Sequence, residues 1–76
     1  MTKKEFLIAL GEVVGGDAGG IRGDESLRDL DGWDSMASVA FMAMADERLG
    51  KLVGAADLAA CKTVSDLMAL FPGQIS

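Results

Sequence analysis

The chain has no histidine among its 76 residues, and that absence removes several chemistries together. A Ser-His-Asp triad, a Cys-His dyad and His-based zinc sites all require an imidazole. Cys61 is the sole cysteine, so neither an internal disulfide framework nor a cysteine metal cluster is available. In its apolar stretch Cys61 reads as a small buried hydrophobe. No apolar run approaches the length of a membrane span, and no signal-peptide layout opens the chain. The apolar run after Thr2-Lys3-Lys4-Glu5 breaks at Gly11-Glu12. Basic residues are scarce too: seven Lys and Arg face twelve Asp and Glu, for a net charge of −5. That balance argues against nucleic acid, which needs clustered cations, and suits partners with basic docking surfaces. The expectation is a soluble, cytoplasmic protein with no membrane or nucleic-acid partner.

What is present is half hydrophobic residues, enough for one small core without covalent staples. Thr2 and Glu5 have the spacing of a capping box, and Phe6, Leu7, Leu10, Val13 and Val14 follow at helical spacing. Gly15-Gly16 should stop this first helix. Residues 15 to 34 then hold six glycines (15, 16, 19, 20, 23, 32) and six acids (Asp17, Asp24, Glu25, Asp29, Asp31, Asp34). So long a loop in so small a chain is functional or disordered. The apolar anchors Ile21, Leu27 and Leu30 favour an ordered loop pinned across the bundle.

A second helix is expected from about Ser35 to Leu49, ending at Gly50, with Phe41, Met42, Ala45 and Leu49 on the core stripe. Met36, Val39, Ala40, Ala43 and Glu47 fall on the adjoining face, nearer solvent. Val53 to Ala60 suggests a short third helix approached through Gly54. Thr63-Val64-Ser65-Asp66 starts the last helix, with Val64, Leu67, Met68, Leu70 and Phe71 apolar, and Pro72-Gly73 ends it. There is no repeat, no useful strand-like alternation and no flexible linker. The fold class expected is all-α: a four-helix bundle with three main helices, one short third helix and a long first loop. It should form a single complete domain over residues 1–76.

The run Asp31-Gly32-Trp33-Asp34-Ser35-Met36 lies where that loop meets the second helix. Asp34 reads as the N-cap and Ser35 as the first helical residue, at an end whose free N–H groups and dipole favour an anion. With no histidine to activate it, Ser35 is better placed to accept a modification than to attack a substrate. Competing sites fail on spacing. An EF-hand with Gly32 at position 6 would put Leu27 at position 1 and Ser38 at position 12, neither of them a carboxylate. A nucleophile elbow lacks its second glycine and its strand. Gly15-Gly16…Gly19-Gly20 lacks the lysine and strand-to-helix setting of a phosphate loop. No metal site and no catalytic residue is assigned. Met36, Met42, Met44 and Met68 are read first as gap-fillers of a small core, a role compatible with a deformable interior that parts to admit an apolar cargo.

Asp34-Ser35-Met36 resembles the Asp-Ser-Leu attachment motif of the acyl carrier protein family, including peptidyl and polyketide carriers. The resemblance covers nearly the whole chain. It includes the four-helix plan, the long first loop with Ser26-Leu27-Arg28-Asp29-Leu30, and Lys62-Thr63-Val64-Ser65-Asp66-Leu67 leading into the last helix. It implies that Ser35 carries 4'-phosphopantetheine, covalently bound and derived from coenzyme A, with Asp34 helping to position the transferase and its metal-bound substrate. It also implies docking through the start of the second helix, at Met36, Val39, Ala40, Ala43 and Glu47. The implied partners are a phosphopantetheinyl transferase and acyl-loading, condensing or modifying enzymes; a monomer that is not an enzyme is expected. One departure stands out. Ala37, Ala40 and Ala43 occupy positions where fatty acid carriers have acids or bulkier groups, leaving Asp46 and Glu47 further along. Charge steering should then weaken and apolar contact matter more. That favours a specialised biosynthetic carrier over a fatty acid synthesis carrier. The alternative from another class is an unmodified helical adaptor.

Overall fold

Three helix starts along the chain share one local chemistry. In the computed structural model, which describes residues 1–15 and 21–76, helix α1 spans Lys3–Val13. Thr2 Oγ1 accepts from the Glu5 amide at 3.1 Å, and Glu5 Oε1 accepts from the Thr2 amide at 2.8 Å, so two otherwise unpaired N–H groups are satisfied reciprocally. Helix α2 spans Ser35–Met44 behind Asp34, and continues as a wider π-helical turn over Ala45–Leu49. Helix α3 is short, Ala55–Ala59, and α4 runs Val64–Ala69 behind Thr63. Thr63 Oγ1 accepts from the Asp66 amide at 3.1 Å, while Asp66 Oδ2 accepts from the Thr63 amide at 3.2 Å. Among the described residues the architecture is all-α, and α1 packs against α2. The expected Gly16, Asp17, Gly19 and Gly20 of the loop lie outside the described residues.

Over residues 21–34 the apolar anchors pin the first loop to the core: Ile21 and Leu27 are buried and Leu30 packs against it. A 3₁₀ turn covers Leu27–Asp29. The loop is sewn to the start of α4 by an antiparallel bridge between Ser26 and Thr63, with Leu27 N–H donating to the Lys62 carbonyl at 2.8 Å and Val64 N–H to the Glu25 carbonyl at 3.0 Å. The Glu25 carboxylate accepts from the Arg22 and Gly23 amides at 2.6 and 2.8 Å. Gly32 closes the loop against the end of α1 at φ +87°, and a Cβ there would overlap the Val14 carbonyl. Gly32→Ala therefore combines a left-handed backbone with a backbone clash. It should cost at least about 1–2 kcal/mol, or roughly 5–15 °C in thermal midpoint by circular dichroism.

Phe6, Phe41, Phe71, Leu10, Val64 and Leu67 form the fully buried centre. Two faces depart from the helical-wheel expectation. On α1 the small Ala9 is buried beside Phe6 and Leu10, whereas Leu7, Val13 and Val14 are only half-buried. On α2, Ala37 and Met44 point inward with Phe41, Ala45 and Leu49, and Met42 is half-buried. Ala37 therefore does not belong to the exposed alanine face: at 4 % exposure it is a core residue. Ala40 and Ala43 are exposed as expected. Cys61 is half-buried, not buried, with Sγ donating to the Asp57 carbonyl at 3.3 Å.

The π turn ends at Gly50 in the left-handed conformation, at φ +66°. It is tied to the far end of the chain. Gln74 Nε2 donates to the Leu49 carbonyl at 2.8 Å, and Lys51 Nζ donates to the Leu70 carbonyl while lying 5.6 Å from the Phe71 ring centroid. These contacts satisfy carbonyls at the ends of α2 and α4, which helices leave unpaired.

Amide-capping carboxylates also set the response to acid. Glu5, Glu25 and Asp66 are each held below the ordinary carboxylate range, chiefly by the backbone N–H groups they accept. A depressed folded pKa contributes stability that is present above the unfolded value and is lost as pH falls through the folded one. The midpoint should thus hold near neutrality and decline as pH drops below the unperturbed carboxylate values of 4.5 and 3.8. In thermal melts across that window, Glu25→Gln should shrink the decline; an unchanged slope would exclude Glu25 as a contributor.

Candidate functional site

Helix α2 begins cleanly because Asp34 is extended, at φ −139° and ψ −170°, and its Oδ1 accepts from the Ala37 amide at 2.8 Å. The Asp34 carbonyl accepts from the Ser38 amide at 2.9 Å and from the Ser38 hydroxyl at 3.0 Å. Ser35 is the first helical residue, exposed, and no hydrogen bond among the described residues engages its hydroxyl. The Ser35 and Met36 amides likewise have no partner there and face the open end of the helix. Among the described residues, then, the hydroxyl lies at a helix end with two unpaired amide donors and the positive dipole. An anion esterified at that oxygen would meet complementary charge without displacing any existing contact.

The surroundings are apolar. An open cleft of about 400 Å³ between α2 and α3 is lined by Trp33, Ser35, Ser38, Val39, Met42, Ala55, Leu58 and Ala59. Beside it, Ser35, Met36 and Val39 border a shallower hollow. Met36 is 81 % and Val39 62 % exposed, large apolar side chains in water with no partner in the fold. Ala40, Ala43 and Glu47 are exposed on the same helix and its π-helical extension. The structure thus brings together Asp34, Ser35, Met36 and Val39 at one helix end, with Glu47 more than two helical turns away.

Among the described residues no base is hydrogen-bonded to the Ser35 hydroxyl. The chain has no histidine, and the Asp34 carboxylate is engaged as the helix cap. Cys61, the other candidate nucleophile, has its thiol pushed up by burial first and by the Asp66 and Asp57 carboxylates second, so it stays protonated at neutral pH. Among the described residues no cluster of His, Cys, Asp or Glu is arranged to hold a metal ion.

A family model described as the phosphopantetheine attachment site matches residues 5–71. The chain belongs to this acyl carrier protein family. The match takes in most of α1, the other three helices and both sides of the cleft, so it rests on the bundle and not on one tripeptide. Domains of this family carry covalently attached 4'-phosphopantetheine. They generally act as carriers rather than catalysts, and engage a phosphopantetheinyl transferase and partner enzymes. No curated protein sequence and no solved structure match the chain. No described helix is long and apolar enough to cross a membrane.

Residue patterns pointed to Asp34 as cap, and it occupies that place, while Trp33 anchors the loop against the core. The Trp33 ring packs edge-on to Phe41, with centroids 5.9 Å apart. Its second role, as a wall of the cleft beside Ser35, was not foreseen. A tryptophan two residues before a helical serine was the available signal, since a bulky ring so near must share the serine's surroundings.

Proposed function

We propose that Ser35 is the attachment residue and that the domain carries acyl, aminoacyl or polyketide intermediates as thioesters for a specialised biosynthetic pathway. The observation that carries this reading is the free, exposed Ser35 hydroxyl at the capped start of α2, beside an apolar cleft and within the matched span. In the loading step the Ser35 oxygen forms a bond to the phosphorus at the pantetheine end of coenzyme A's pyrophosphate. The P–O–P anhydride bond breaks, adenosine 3',5'-bisphosphate leaves, and the hydroxyl proton passes to a base on the transferase. The attached group supplies a thiol at the end of a long arm. The chain itself contributes an address: Asp34 holds the helix end, and the Ser35 and Met36 amides would hold the phosphodiester.

Docking is assigned to Met36, Val39, Ala40, Ala43 and Glu47. Exposed apolar side chains at one helix end, with Asp34 engaged as the cap and the helix's other acids only at Asp46 and Glu47, favour partners that read shape and apolar contact over charge. The expected partners are a transferase and loading, condensing or modifying enzymes. The domain, read as one unit over residues 1–76, acts as a cytoplasmic monomer and catalyses nothing itself.

Incubation with coenzyme A and a broad-specificity transferase should give one phosphopantetheine adduct by intact mass, and fragmentation should place it on Ser35 rather than Ser38. No adduct under conditions that modify a control carrier would return the chain to the helical adaptor reading. Met36→Glu and Val39→Glu should leave the thermal midpoint nearly unchanged, since exposed substitutions usually stay within about 0.5 kcal/mol. Both should slow partner turnover by about tenfold or more, as expected when a charge enters an apolar contact worth roughly 1.4 kcal/mol. If turnover is unaffected by either, docking lies elsewhere.

A further inference from the structure

The interior beside Ser35 is filled by aromatic rings. Phe6, Phe41 and Phe71 are at most 1 % exposed, and their three pairings have centroid distances of 6.0, 6.1 and 6.1 Å. Trp33 adds a fourth ring, edge-on to Phe41 at an interplanar angle of 74°. Trp33 also lines the open cleft that holds Ser35. Trp33 therefore stands between the cleft and the aromatic centre, with Met42 and Leu58 completing the cleft wall. Methionine can move aside through three torsions, but an indole has only two and more bulk to displace.

Volume points the same way. The cleft holds about 400 Å³, near the lower end of the roughly 300–1,000 Å³ typical of small-molecule sites. A pantetheine arm lying in it would leave little room for a long alkyl chain. Further space would have to come from the core, past Trp33.

Resting on the carrier reading, we infer that Trp33 is a plug that excludes cargo from the bundle interior. The arm lies in the open cleft between α2 and α3, and cargo at its end stays in solvent. The domain then suits short or polar acyl and aminoacyl groups, and long alkyl chains gain no shelter from it. Trp33 acts on cargo choice by occupying space; it takes no part in bond making.

The test compares acetyl- and octanoyl-loaded protein, made with a transferase from the corresponding coenzyme A thioesters. The readouts are thioester lifetime in hydroxylamine, followed by intact mass, and emission of Trp33, the only tryptophan. Each lifetime is normalised to the same thioester on free pantetheine. In the unmodified sequence the two normalised lifetimes should agree within about twofold, because protection comes from burying apolar surface and none is buried. Trp33 emission should match between the two loads. Trp33→Val should lengthen the octanoyl lifetime at least several-fold and leave acetyl unchanged, while Trp33→Phe should restore the original behaviour.

A several-fold longer octanoyl lifetime in the unmodified sequence, with shifted Trp33 emission, would overturn the plug while leaving the carrier reading intact. So would a folded Trp33→Val that leaves octanoyl as labile as before. Absence of any adduct, where a control carrier is loaded, would overturn both readings. Should Trp33→Val lose its helical circular dichroism, the comparison in the unmodified sequence decides alone.

Discussion

Ser35→Ala is expected to abolish phosphopantetheine incorporation completely, with a thermal midpoint within about 4 °C of the parent. Both halves follow from geometry. The Ser35 hydroxyl is exposed and makes no hydrogen bond among the described residues, so its removal orphans no partner. Alanine is the better helix former at an interior or first-turn position, which offsets any small loss. The cap is provided by Asp34, two bonds of which, to Ala37 and Ser38, survive the change. Ser38 cannot substitute as acceptor. Its hydroxyl already donates to the Asp34 carbonyl, and it lies one turn inside the helix, where backbone amides are paired. Intact mass and a melt on one sample decide the point. An adduct surviving in Ser35→Ala would move the attachment site; a collapsed fold would show that Ser35 has a structural role invisible in its contacts.

The readable parts of this chain were those whose cause is local. Thr2 with Glu5, Thr63 with Asp66, and Asp34 ahead of Ser35 are caps built from residues three apart, and each appears where its spacing put it. The stop at Gly50 was equally local, because the left-handed backbone there suits glycine. Long-range pairing left no such trace. Nothing in Ser26 or Thr63 alone announces their bridge, and the Glu25 carboxylate looks like any surface acid until its two amide partners are seen.

Helix faces were legible only in part, for a physical reason. On α2, Ala37, Ala40 and Ala43 are identical in size and hydropathy, so residue type alone cannot say which alanine faces inward. Their neighbours decide it: Phe41, four residues on, pulls Ala37 into the core and leaves Ala40 and Ala43 outside. The correction narrows the exposed alanine face but keeps its meaning for docking. Beyond the capping Asp34, the acids of this helix still sit only in the π turn, and Met36 and Val39 still stand in water.

The other large effect belongs to Phe41. Its ring is fully buried and contacts Phe6 at 6.0 Å, Phe71 at 6.1 Å and Trp33 at 5.9 Å, which makes it the common neighbour of the aromatic cluster. Truncating a buried phenylalanine to alanine costs about 3–5 kcal/mol through lost burial and the cavity left behind. Edge-to-face pairings are worth roughly 0.5–1.5 kcal/mol each beyond burial, which puts Phe41→Ala at the upper end of that range. A chain of this length has a total stability on the order of 4–11 kcal/mol. Phe41→Ala should therefore lower the midpoint by about 15–30 °C and leave a substantial unfolded population at 37 °C. Phe41→Leu keeps most of the volume and should cost less than half as much. Urea melts of the two variants separate the explanations. A large loss in Phe41→Ala with a small one in Phe41→Leu assigns the effect to filled volume; equal losses assign it to the ring contacts. The result also bears on Trp33, since an indole can exclude cargo from the core only if the ring it packs against is held rigidly in place.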